Sequence, residues 1–175
     1  MDSVGVGSDR VRADASSGLA ERLGWRADWM VEKWHPGRAP EDGAPDEVVE
    51  FRDNLLLNEG ITRLLNLLAG TTTNPYSNAN ARLGVGTSNT AAAASQTALQ
   101  GTAVFKAMDA TYPTIAAQTI TFRSTFGSGD ANQAWEEFSV DNGSSPNENL
   151  NRKVQSLGTK VVGSTWILTV TITLS

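Results

Sequence analysis

The sequence predicts a mainly β protein: a β-sandwich or jelly-roll-like domain with one buried helix, preceded by an N-terminal extended arm with a short helix. Three observations predict it. The stretch Thr165 to Leu174 alternates almost without fault, with Trp166, Leu168, Val170, Ile172 and Leu174 on one side and mostly threonines on the other. β-Branched and aromatic residues at a period of two make a half-buried strand. Gly, Ser, Thr, Asn and Ala are abundant, which suits short strands joined by turns. Only residues 48–69 combine leucine density with the length of a substantial helix.

The elements follow in order. Residues 1–16 are small, polar and mixed in charge, and read as a flexible arm or as one that orders only against a partner. Over residues 17–34, Leu19, Leu23, Met30 and Trp34 fall near helical spacing and Trp25 and Trp29 form an i, i+4 pair, which predicts a short amphipathic helix ended by His35-Pro36-Gly37. Residues 35–47 hold three prolines and read as an acidic linker. The predicted division is therefore 1–47 for arm, Trp-rich helix and linker, and 48–175 for a helix plus an antiparallel β-sandwich.

Within 48–69, Leu55, Leu56, Leu57, Ile61, Leu64, Leu65, Leu67 and Leu68 are too many for one narrow stripe. A helix apolar around much of its girth is buried in a core or between subunits. Gly70 is its expected C-terminal glycine. Strands are predicted at Ala81 to Val85, Thr102 to Met108, Thr119 to Phe126 and Ala134 to Val140, with Ile120, Phe122 and Phe126 sharing one face. Residues 150–161 and 165–174 are expected to pair as a hairpin across Val162-Gly163-Ser164.

Composition excludes several functions. There is no cysteine, so disulfides and thiolate metal sites are ruled out. No run approaches the ~18 apolar residues of a membrane helix, and no signal peptide is visible in Met1 to Arg12. The formal net charge is -5, and residues 1–50 alone carry that whole excess. Nothing resembles the basic footprint of a nucleic-acid binder.

The chemistry of an active site is sparse. His35 is the single histidine and sits beside Pro36 in the linker, a poor place for a general base. Gly84-Val85-Gly86 lacks the further residues of a phosphate-binding loop and reads as a tight turn after a strand. Glu136 and Glu137 point to opposite strand faces; Glu136, beside Phe138, would need Arg123 or Arg152 as a partner if buried. Asp130, Asp141 and Asn142 suit turn formation better than calcium binding. No catalytic residue, cofactor or metal site is predicted. Trp25, Trp29 and Trp34, with Met30, Leu19 and Leu23, form the candidate partner interface, because tryptophan anchors interfaces. Packing of these rings back on the β-domain is the alternative.

An ordered series of short motifs resembles tailed-bacteriophage virion proteins: Asn54-Leu-Leu-Leu-Asn-Glu-Gly60, Asn80-Ala-Arg-Leu-Gly-Val-Gly86, Thr97-Ala-Leu-Gln100, Phe122 to Phe126, Ala134-Trp-Glu-Glu-Phe138 and Leu150-Asn-Arg152. More loosely it is similar to tail-collar fibre domains. The resemblance spans about residues 50–175. It implies a non-enzymatic β-sandwich on the virion: a decoration (cement) protein that binds the major capsid protein at the capsid surface, self-associates, often as a homotrimer, and stabilises the shell. A tail fibre or collar module that binds a receptor, with Tyr76 or Tyr112 in contact, is the rival expectation. A cell-wall hydrolase would need paired carboxylates, which the sequence lacks.

Overall fold

A computed structural model describes residues 24–72, 74–143 and 147–175. The strands are β1 (Trp25–Trp34), β2 (Glu47–Arg52), β3 (Leu55–Leu56), β4 (Arg82–Gly86), β5 (Ala103–Ala107), β6 (Thr114–Ala116), β7 (Thr119–Phe126), β8 (Glu137–Asp141), β9 (Asn151–Val154) and β10 (Thr165–Leu174). Among the described residues one α-helix, α1 (Asn58–Leu68), lies between β3 and β4, and a short 3-10 turn spans Pro40–Asp42. The strands form two antiparallel five-stranded sheets, ordered β2-β1-β10-β7-β6 and β3-β9-β8-β4-β5.

Alternation builds the core as the sequence predicts. Opposite residues of an antiparallel pair share a face. Trp29, Val170 and Phe122 therefore make one inward row across three strands, and Ala27, Ile172 and Ile120 make the next. From the second sheet come Leu83, Val85, Phe138 and Val140, all buried. Trp135 stands between the layers, with ring centroids 4.8 Å from Phe126, 4.8 Å from Trp166 and 6.1 Å from Phe138, each at a steep edge-on angle. Such pairs contribute about 0.5–1.5 kcal/mol each beyond the area they bury.

Several expectations are corrected. Residues 25–34 are not helical. They form β1, paired along its whole length with β10. Trp25 and Trp29 are four apart, and a spacing of four fits a strand face as well as a helix face; Arg26, Asp28 and Glu32, at even spacing on the opposite side, fit the strand. The predicted hairpin between 150–161 and 165–174 does not form, because β9 pairs with β8 and β3 in the second sheet while β10 lies between β1 and β7 in the first. The helix predicted over 48–69 begins only at Asn58, and residues 47–52 form β2 with β1. Gly84 and Gly86 make no turn. Both lie within β4, and a Cβ on Gly86 would collide with the Glu137 carboxylate.

The segment read as a linker is folded. Residues 35–46 turn back so that the Gly43 carbonyl accepts the Trp34 indole N–H at 3.0 Å, and Gly37 N–H donates to the Gly163 carbonyl at 3.1 Å. Trp34, Thr165 and Ile167 are consequently buried on the outer face of the first sheet. The boundary placed after residue 47 falls in β2, inside the β1–β2 hairpin.

Candidate functional site

The most concentrated polar chemistry lies on the outer side of the second sheet, under the loop of residues 87–102. Glu137 on β8 and Arg152 on β9 are both inaccessible to solvent. Arg152 Nε donates to Glu137 Oε2 at 2.8 Å. The same carboxylate accepts the backbone N–H groups of Gln100 (2.9 Å), Gly101 (2.7 Å) and Ser88 (3.3 Å). Arg152 Nη1 reaches Gln96 in that loop at 3.0 Å. Every Glu137 lone pair is engaged inside the chain, so the group is a clamp that shapes the loop and offers no free base. The sequence offers Arg123 or Arg152 as a partner for Glu136 if it is buried; Glu136 instead accepts Ser156 Oγ at 2.9 Å near the surface, and Arg152 pairs with Glu137.

A second polar cluster joins α1 to the β8–β9 connection. Arg63, buried on the inner side of α1, pairs with Glu148. Glu59 accepts the Asn149 N–H at 2.7 Å, and desolvation by burial raises its pKa above the usual glutamate range. Asp141 holds Arg82 at 2.9 Å and Gly143 N–H at 2.8 Å. Asp130 accepts Gly127 N–H at 2.8 Å and Lys106 Nζ at 2.6 Å, and that hydrogen bond to Lys106 is the main cause of its lowered pKa. The turn roles expected for Asp130 and Asp141 fit these bonds. Among the described residues no group of three His, Asp or Glu side chains is arranged to hold a metal. His35 is exposed in its turn, where its backbone N–H donates to Asp46 at 2.8 Å.

Among the described residues, apolar surface is left open at one end of the sandwich. A groove of about 320 Å³ runs between α1 and the ends of β1, β7 and β10, lined among others by Trp25, Leu64, Ile115, Phe122, Leu150 and Leu174. Ile115, 77% exposed, stands at its rim. The helix continues this surface. At about 100° per residue, Leu67, Gly60 and Leu64 face the sandwich, and Leu68, Ile61 and Leu65 follow on the Leu64 side. Leu68 is 86% exposed and Leu65 60%. The helix is thus apolar over more of its girth than the fold covers. Its two charged residues, Glu59 and Arg63, both turn inward to partners, so its outward face carries no charge. Gly60 permits this seating, since a Cβ there would collide with the Leu150 carbonyl oxygen.

The predicted interface residues are not gathered into one surface. Trp29 is buried on the inner face, stacked on Phe51 at 5.9 Å. Trp34 is buried on the outer face. Met30 lies half-buried on that outer face, opposite Thr169 and Glu50. Trp25 alone borders the groove, its indole N–H donating to Asn54 Oδ1 at 2.8 Å. Packing within the chain therefore uses Trp29 and Trp34. Leu19 and Leu23 lie outside the described residues. The eight apolar residues predict a helix buried in a core or between subunits; Leu64 and Leu67 pack against the core, while Ile61, Leu65 and Leu68 stay exposed. Comparison with protein-family models, with curated proteins and with solved structures finds no match in any of the three.

Proposed function

We propose that this chain is a non-enzymatic structural protein of a tailed-phage particle: a decoration protein that binds the major capsid protein on the outside of the shell and stabilises it. The observation that carries this reading is the division of the surface. Charged clusters are spent on bonds within the chain, while the apolar groove and helix stripe stay open at one end. That is the chemistry of a docking module, and exposed apolar patches mark interaction sites. The ordered motifs between Asn54 and Arg152 supply the virion context. No cofactor, nucleic acid or membrane enters this reading.

The rival is a tail fibre or collar module that binds a receptor. It is disfavoured at one of its expected contacts: Tyr76 is buried, with its hydroxyl 3.4 Å from the Glu148 carbonyl, and only Tyr112 keeps partial exposure. Cryo-electron microscopy of the intact particle separates the two. Density for the chain over the capsid lattice is expected; density confined to the tail tip refutes decoration. Removal of residues 1–23 leaves β1 intact and is expected to abolish binding to expanded capsids. Full retained binding would exclude the N-terminal segment from attachment.

A further inference from the structure

We infer that the outer face of the first sheet carries a docking cleft for an arginine side chain of a partner protein, built by β1, β2 and β10. Strand register places its walls. Glu50, Met30 and Thr169 stand opposite one another across the three strands, and Arg52, Asp28 and Thr171 form the next row on the same face. A cleft of about 450 Å³ opens there, lined by these six residues among others. It shares no lining residue with the apolar groove, so the two surfaces are separate.

Charge selects the occupant. Residues 24–53 hold eight Asp and Glu against four Lys and Arg, whereas residues 54–175 hold seven of each sign. The acidic excess of the folded domain therefore sits on the β1–β2 hairpin, and complementary potential steers a cation to it. The polar clusters around Glu137 and Arg63 are spent within the chain, but the hairpin keeps acceptors in hand. Glu50 is exposed at the cleft and makes no hydrogen bond or ion pair among the described residues. Asp28 is held by Arg26 at 2.9 Å and by Arg52 at 3.3 Å. The Arg52 side chain is 77% exposed, and so open a pair is weak enough for an incoming guanidinium to displace. Thr169 Oγ1 is closed off from solvent and has no hydrogen-bond partner, a state that an arriving donor relieves. Two carboxylates and a hydroxyl oxygen in one cleft suit the planar, five-donor fork of arginine better than a compact ammonium. Met30, between Glu50 and Thr169, offers its adaptable thioether chain to the arginine methylenes. The cleft serves such a side chain whether or not the chain decorates a capsid.

The test titrates the isotope-labelled full chain with the end-blocked tripeptide Gly-Arg-Gly and follows backbone amide resonances. Saturable shifts are expected at residues 28–30, 50–52 and 169–171. The same peptide with citrulline in place of arginine, alike in shape but uncharged, is expected to leave these resonances in place. Glu50→Gln is expected to weaken binding about 5-fold, the measure of one partly exposed charge pair. Glu41→Gln removes an equal charge from the 3-10 turn of the same hairpin, outside the cleft, and is expected to leave binding unchanged. The amide spectra themselves show that each variant is folded. Three results would each overturn the inference: no saturable shift at the cleft, an equal response to the citrulline peptide, or equal weakening by both variants. The last would mean that the peptide senses only the diffuse field of the hairpin.

Discussion

Strand β1 and helix α1 each present a face rich in large apolar side chains, and the fold covers the first while leaving part of the second open. On β1 the inward residues Ala27, Trp29 and Val31 are sealed between neighbours on both sides, and the outward Trp34 is covered by the returning turn. On α1 only Leu64 and Leu67 reach the core, while Ile61, Leu65 and Leu68 face outward. The difference follows from position. A strand inside a sheet has two hydrogen-bonded flanks and a second layer beneath it, whereas one helix laid on a sandwich end has a single neighbour. Apolar density in a sequence therefore tells how much surface must be buried, and the topology tells whether this chain alone can bury it.

Substitutions can break or sharpen that contrast. The largest effect is expected from Trp29→Ala, which opens a cavity beside Phe51 and Phe138; about 3–5 kcal/mol should be lost in chemical denaturation. Gly60→Ala forces a side chain against the Leu150 carbonyl and should cost about 1–3 kcal/mol. It should also speed amide exchange in α1 ahead of β1, the reverse of the order for Trp29→Ala. Trp25→Phe removes one hydrogen bond, to Asn54, and should cost about 0.5–1.5 kcal/mol. Leu65→Gln should change stability by no more than about 0.5 kcal/mol, since Leu65 is 60% exposed. A cost as large as that of Trp29→Ala would show that the stripe is core after all.

The smallest expected effect concerns pH. Burial raises the Glu59 pKa in the folded chain, so the folded state holds that proton more tightly than the unfolded one. Its contribution to stability therefore grows as pH falls through the raised folded value towards the ordinary glutamate range. Glu59→Gln should flatten this part of the stability–pH curve, read as the difference between wild-type and variant denaturation midpoints. An unchanged curve would remove Glu59 from the account.

Much of the fold was legible, and its gaps have physical causes. The alternation in 119–126 and 165–174 placed β7, β10 and their inward faces correctly, because a period of two with β-branched residues has one structural solution. The glycine at 70 ends α1 with a positive φ, as its position implies. The strand at 25–34 was misread because two tryptophans four apart satisfy both periods. Strand partners were misread because adjacency in sequence favours a hairpin, while residues 155–164 cross from one sheet to the other. The Glu137 clamp is only partly legible: the sequence names Arg152, with Arg123, as a possible partner for a buried glutamate at 136, but the choice of Glu137 and the loop amides it gathers depend on contacts between distant segments.

The place of β10 bears on how the protein comes to exist. It is synthesised after both of its neighbours, β1 and β7, yet it is the strand that joins them. Until it is made, β1 can pair only with β2, and that hairpin has no strand joining it to β7. The first sheet must then close late, through contacts between residues far apart along the chain, a route that is slow and exposes sticky edges. Production of this protein should accordingly respond to slower synthesis, lower temperature and chaperone supply more than its compact fold would suggest.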